Sequence, residues 1–333
     1  MKRSRLKLLL GVLLVGGAAG GAYYWLDTNL TPMPVGPKRY LRWEKPARLD
    51  DIFIDLKRRG IIRNADAARV YAWVKRSPSS VSSGTYELAP GMNIGEILRK
   101  IRSPIRQMVR IPETNWARRN ANVLEKKAVL RAEEYIDLVQ KPELFKEYVS
   151  FPLPHDSLEG YLYPDTYDFP PLLGAKAVII RQLQNFEKKV WLELDKPKTL
   201  HDAVIHGSLV ELEAGTDEDR PMIAGVIENR LKKNMRLQID ASLLYGIQKW
   251  RTLTFDDYRD IKGPYNLYRV NGLPPGPICS PTVLSIKAAM NPAKHNHLYY
   301  VALPSGVSLF APTYEEHKRN IQKRKKALKE QGT

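Results

Sequence analysis

The sequence predicts an α+β fold, and three observations carry that prediction. An uncharged run opens the chain. A short stretch then switches between helical and strand periodicity. The remainder shows mostly helical spacing with only brief alternating segments. With 333 residues, 43% hydrophobic and 27% charged, the chain is long enough for two or three domains and ordinary enough in composition to fold.

Residues 1–7 (MKRSRLK) form a basic tail. Residues 8–26 (LLLGVLLVGGAAGGAYYWL) carry no charge and are just long enough to span a bilayer, with Tyr23, Tyr24 and Trp25 where an aromatic interface belt falls. The basic residues ahead of the span place the N-terminus in the cytoplasm and everything beyond it outside. A cleaved signal peptide is the alternative, because GGAAGGA offers small residues. Residues 27–38 (DTNLTPMPVGPK) read as a Pro/Gly-rich linker.

A small α+β unit is expected over 39–112. LDDIFIDLKRRGII and ADAARVYAWVKR have helical spacing, and Tyr86 and Leu88 alternate as in a strand. Pro90-Gly91 turns the chain, Ile94, Ile97, Leu98 and Ile101 return to helical spacing, and VRIPE (109–113) closes as a short strand. A helix-rich domain with a few strands is expected over 113–333. It holds a charged helical stretch at 114–150, an aromatic loop at 155–170, a long helix at 175–194 and further helices ahead of Asn291-Pro292. RNIQKRKKALK near the end reads as a solvated basic helix.

The formal charge is +17, which suits anionic partners: nucleic acid, anionic lipid or an anionic wall polymer. The membrane segment argues against a cytosolic nucleic-acid binder, and no nucleic-acid motif appears. A single cysteine, Cys279, excludes an intrachain disulfide and a cysteine-based zinc site. The histidines form no HExxH, so no metal and no cofactor is expected.

The chemistry-bearing stretch is SLVELEAG (208–215). Thr199 and Asp202 fit a capping box for a helix opening at Leu200, with Gly215 as its stop. On a helical wheel Glu213 falls between Leu209 and Val210, on the apolar side, and Glu211 falls beside Gly207 and Ser208, on the polar side. A carboxyl among aliphatic groups loses hydration of its charged form, so its pKa rises and it suits general-acid work near neutrality. A buried glutamate paired with an arginine is the bland alternative for Glu213. Glu211 suits a structural hydrogen bond or solvent.

Five segments, in order, resemble the YceG-like family of endolytic murein transglycosylases: LEGYLYPDTYDF (158–169), SLVELEAG, NRLKKNMRLQIDASLLYG (229–246), PYNLYRVNGLPPGPICSP (264–281) and AAMNPAKHNHLYYVA (288–302). GTYELAPGMNIGEIL is similar to that family's LysM-like module, and residues 113–333 to its catalytic domain. The resemblance implies a membrane-anchored enzyme that cleaves between N-acetylmuramic acid and N-acetylglucosamine inside peptidoglycan strands, leaving 1,6-anhydromuramyl ends. It implies Glu213 as the catalytic residue, Glu159, Tyr161, Asp165, Gln238, Asp240, Tyr265, Asn266 and Tyr268 as cleft residues, and a role near wall synthases in ending nascent strands. Leu212, Ile239 and the SLFA segment (308–311) depart from the family pattern, and none touches Glu213. A noncatalytic peptidoglycan-binding scaffold and a hydrolytic muramidase are the alternatives; the latter needs a second carboxylate.

Overall fold

In the computed structural model, residues 2–197 and 199–330 are described, with side chains from Val15 onward. The chain divides by packing into two units. The first runs to Gln107 and takes in Phe169–Leu173; the second comprises Met108–Asp168 and everything from Gly174.

The first unit begins with helix α1 (Lys2–Leu30). Among the described residues no helix is long and apolar enough to cross a membrane. The expected span over 8–26 falls partly on residues 8–14, whose side chains lie outside the described ones. Strand β1 (Arg39–Trp43) and a short β2 (Ala47–Arg48) follow. Next come helices α2 (Leu49–Arg58) and α3 (Ala65–Val74), then β3 (Ser80–Val81) and β4 (Gly84–Leu88). β1 pairs antiparallel with β4, from Arg39 opposite Leu88 to Trp43 opposite Gly84, and β2 pairs with β3. Ile52, Phe53 and Leu56 of α2 pack on Ala68, Tyr86, Leu88 and Ile97, giving this unit its own core. Helix α4 (Ile94–Lys100) starts at a capping box: the Asn93 side chain accepts from Glu96 N–H at 2.9 Å, and Glu96 accepts from Asn93 N–H at 3.0 Å.

The second unit opens with β5 (Met108–Arg110). This is the strand expected in VRIPE. Its partner is β6 (Thr166–Asp168), so it packs with the second unit and the division falls at 107/108 instead of 112. Between these strands lie α5 (Ala117–Lys126), α6 (Ala132–Val139) and a 3-10 turn over Pro142–Tyr148. Helix α7 (Ala175–Phe186) continues as a π turn over Glu187–Trp191, short of the single helix to residue 194 that the spacing predicted. Then follow α8 (Leu200–Glu213), α9 (Asp219–Lys232), α10 (Asp240–Gly246), α11 (Phe255–Asp260) and α12 (Val283–Met290). The hairpin β7 (Tyr299–Ala302) with β8 (Ser308–Ala311) and helix α13 (Tyr314–Glu330) complete the chain.

Helix α8 is the axis of the second core. Leu209 and Val210 pack with Ile223 and Ile227 of α9 and with Leu237, Ile239, Leu267 and Ile278. Its other face packs on α12. Gly207 permits this: a Cβ there would stand 3.1 Å from the Ile286 backbone. α8 begins at Leu200 as expected, but the Thr199 side chain makes no cap hydrogen bond, so the predicted capping box does not form.

Candidate functional site

Glu213 is the last residue of α8. The next residue, Ala214, turns into an extended conformation (φ −77°, ψ 123°), so the carboxyl stands where the helix ends and the wall of the core opens. Gly215 is not a left-handed cap. It is needed for close approach, since a Cβ there would overlap the Gly306 carbonyl in the β7–β8 turn. That contact holds the hairpin against the end of α8. Tyr300 of β7 then donates its hydroxyl to Glu213 Oε2 at 2.8 Å.

The Glu213 carboxyl opens into a pocket of about 340 Å³. Gln238, Asp240 and Tyr268 line it, as do Arg230, Tyr299 and Tyr300. Tyr268 donates to Asp240 Oδ1 at 2.6 Å, which fixes both side chains on one wall. Gln238 holds a left-handed backbone (φ 54°), a conformation that costs a non-glycine residue energy and concentrates at working sites. The guanidinium of Arg230 is committed elsewhere: Nε donates to Leu298 O at 2.7 Å and Nη1 to Leu237 O at 2.7 Å, while its plane stacks 5.3 Å from the Tyr299 ring.

Burial pushes the Glu213 pKa from its ordinary 4.5 up to about 7. The Tyr300 hydrogen bond opposes the shift, the Asp240 charge adds to it, and the Arg230 charge again opposes it. A carboxyl poised at neutrality can deliver a proton and take one back. The wheel anticipated the raised pKa by placing aliphatic neighbours around this carboxyl; the group that touches it is a tyrosine hydroxyl.

Glu211 takes the first of the two readings drawn for it, a structural hydrogen bond, and not solvent. The face with Gly207 and Ser208 is not a solvent face but the contact with α12, and Glu211 is buried there. Its Oε1 accepts from Arg220 at 2.9 Å, and its Oε2 accepts from Thr282 N–H at 2.8 Å and Thr282 Oγ1 at 2.7 Å. All its lone pairs of consequence are engaged in tying α8 to α9 and to the start of α12, a structural role. The arginine-paired glutamate of the motif is therefore the first one.

The other expected cleft residues divide three ways. Gln238, Asp240 and Tyr268 join Glu213. Glu159, Tyr161 and Tyr265 line a second cavity. Asp165 and Asn266 serve as ties: Asp165 accepts from Thr166 N–H at 2.7 Å and Asn185 Nδ2 at 2.9 Å. Buried Asn266 donates to the Ile261 carbonyl at 2.7 Å and accepts from Tyr268 N–H at 3.0 Å, holding the loop that carries Tyr268.

Sequence reasoning missed Arg230, Tyr299 and Tyr300, and also Tyr314 and His317, which belong to the helix read as a solvated basic tail. The beginning of α13 lines the pocket, and only its later turns carry the lysine run. The signal available for Tyr299 and Tyr300 was their place in HNHLYYVA; nothing in the spacing joins them to a glutamate 87 residues earlier. Among the described residues no cluster of His, Cys, Asp or Glu suits a metal ion, and Cys279 is a buried free thiol.

Known proteins share this arrangement of chain. The sequence is 29% identical over 330 residues to an endolytic murein transglycosylase of Bacillus subtilis, covering 91% of this chain and 90% of that one. It is 29% identical over 346 residues to an endolytic murein transglycosylase of Streptococcus pneumoniae, of which the match spans 62%. A crystal structure of a putative YceG-like protein from Listeria monocytogenes superposes with a TM-score of 0.57 at 28% identity, covering 85% of this chain and 98% of that one. A sequence model of the YceG-like family matches residues 43–323, most of the chain, and the chain belongs to that family.

Proposed function

We propose that the chain is an endolytic lytic transglycosylase that cuts the N-acetylmuramic acid–N-acetylglucosamine bond within peptidoglycan strands, with Glu213 as its single acid and base. One observation carries this: a carboxyl with a pKa of about 7 opens into a polar pocket and is met by a tyrosine hydroxyl instead of an arginine. The protonated carboxyl gives its proton to the glycosidic oxygen as the C1–O bond breaks and the muramyl ring gains oxocarbenium character. The muramyl C6 hydroxyl then attacks C1, forming the 1,6-anhydro bond, and its proton returns to the Glu213 carboxylate. Proton and electron pairs balance without water. The Tyr300 hydroxyl stabilises the carboxylate in the interval between the two transfers.

A hydrolytic reading has one observation in its favour. Asp240 is a second carboxylate on the same pocket, and hydrolysing glycosidases use two. Mass spectrometry of wall fragments separates the readings. Anhydromuramyl ends are expected; reducing ends point to hydrolysis, and no cleavage points to a binding scaffold. Glu213→Gln is expected to keep the fold and lower cleavage by at least about 10²-fold, the usual worth of a positioned general acid. Undiminished cleavage by that variant would overturn the assignment of Glu213.

The reading extends to location. The chain is held by residues 8–26 as a single-pass anchor with its N-terminus in the cytoplasm, supported by the uncharged run and the basic residues before it. The β1–α2–α3–β4 order of the first unit supports a LysM-like wall-binding module. An anchored enzyme of this kind acts on strands as wall synthases extrude them, which fits a role in ending nascent strands.

A further inference from the structure

The second unit contains a cavity of about 420 Å³ that the proposed reaction does not use. Its floor carries Glu159, which is buried. Both Glu159 oxygens accept from Ala117 N–H at 3.0 Å, so the carboxylate caps the first turn of α5. Burial nevertheless pushes its pKa up to about 7, against the opposing hydrogen bonds from Ala117, Gly160 and Tyr245. Asp156 stands exposed at the rim.

Lysine and arginine number 53 in this chain, and the net charge is +17, yet among the described residues neither lines this cavity. Two carboxyls stand there with two histidines, His155 and His201, which makes its described lining acidic for so basic a protein. Pro152, Pro154, Pro275 and Pro277 stiffen the walls, with the rings of Tyr245 and Tyr265, while Ser157, Tyr161 and the two histidines add polar atoms. Proline and ring carbons beside a buried carboxyl suit an alkyl chain that ends in an ammonium group.

Helix α10 joins this cavity to the Glu213 pocket. Its first residue, Asp240, lines the one, and Tyr245 lines the other. Five residues of helix rise about 7.5 Å. The stem peptide of peptidoglycan leaves the muramyl ring beside the scissile bond, and its diamino acid stands third. Three extended residues reach about 10 Å.

We propose that the Glu159 cavity binds the side-chain ammonium of the diamino acid in the substrate's stem peptide, with Glu159 and Asp156 as its anionic partners. The identity of the ligand rests on the peptidoglycan reading above. The site makes cleavage selective for strands whose stems carry a free amine.

The test is calorimetric titration of the full chain carrying Glu213→Gln, so that nothing is cleaved. The probes are the tripeptide L-alanyl-γ-D-glutamyl-L-lysine and the same peptide acetylated on its side-chain amine. The free amine is expected to bind at least about tenfold more tightly, as for a charge-assisted hydrogen bond to a desolvated carboxylate. Adding Glu159→Gln, which keeps an oxygen for Ala117, together with Asp156→Asn is expected to erase the preference. Should that variant unfold, Gly276→Leu serves instead. It fills the cavity from its wall while the carboxyl itself is kept, and binding of the free amine is expected to fall at least about tenfold. Equal binding of the two peptides, binding of neither, or a preference that survives these variants overturns the inference. Fragment analysis with the unmodified enzyme is read separately: anhydromuramyl ends without amine preference leave the reaction standing and remove only this site.

Discussion

Two glutamates two residues apart in one helix have opposite fates, and the difference lies in what each oxygen meets. Glu211 meets a guanidinium, a backbone N–H and a hydroxyl, so its charge is compensated where it is buried. Glu213 meets one tyrosine hydroxyl and open space. Its pKa of about 7 has a consequence for stability. A carboxyl raised from 4.5 leaves the fold most stable below pH 4.5 and withdraws stability as pH climbs to 7, on the order of 3 kcal/mol in all. Glu213→Gln removes that penalty. Thermal unfolding is therefore expected to show the variant above wild type at pH 8 and level with it at pH 4. Tyr300→Phe removes the hydrogen bond that holds the pKa down. Because the acid must be protonated to act, the falling limb of kcat/KM against pH is expected to move to higher pH while the plateau drops; a limb that stays in place would detach Tyr300 from Glu213. The helical wheel reads Glu213 correctly as a desolvated carboxyl and leaves Glu211 open between a structural hydrogen bond and solvent, of which the structure takes the first. A wheel counts glycine and serine as a water-facing side, whereas Gly207 packs on Ile286 of α12 and buried Ser208 accepts from Ile278 N–H.

At the scale of elements, the setting of the Glu213 carboxyl depends on two small residues touching. Gly215 after α8 and Gly306 in the β7–β8 turn approach so closely that a Cβ on Gly215 has no room. Gly215→Ala is expected to push the hairpin outward, cost about 1–3 kcal/mol in chemical denaturation, and lower cleavage by displacing Tyr300. An alanine variant with undiminished activity would show that the hairpin position is irrelevant to the chemistry. The helices themselves were legible from periodicity: α2, α3, α4, α8 and α9 all lie where their apolar spacing placed them. Strand partners were not. β5 finds β6 more than fifty residues later, and pairing at that separation leaves no local pattern. The same limit explains α13. Its lysine run is a surface pattern, but its first turn is recruited to the Glu213 pocket by a neighbouring strand, through the stacking of His317 on Tyr299.

At the scale of the molecule, a chain with a net charge of +17 would adhere to anionic lipid through its surface alone, so binding to membranes does not by itself establish an anchor. The two modes respond differently to salt. At 1 M ionic strength the Debye length falls to about 3 Å and surface attraction is screened, while the burial of an uncharged nineteen-residue run (8–26) in hydrocarbon is not. The full chain is expected to remain with the membrane fraction after a 1 M salt wash, in keeping with the general strength of hydrophobic burial over screened charge. A chain lacking residues 2–26 is expected to wash off. The shortened chain retains Leu30, which packs on the first core, and Asn29, which accepts from Asn64 at 3.0 Å, so its first unit should unfold at the same temperature. It is expected to cut soluble glycan strands at the rate of the full chain, because Glu213 and its pocket lie wholly within the second unit. Release of the full chain by salt would reduce the N-terminal segment to a soluble helix and leave charge as the only tie to the membrane.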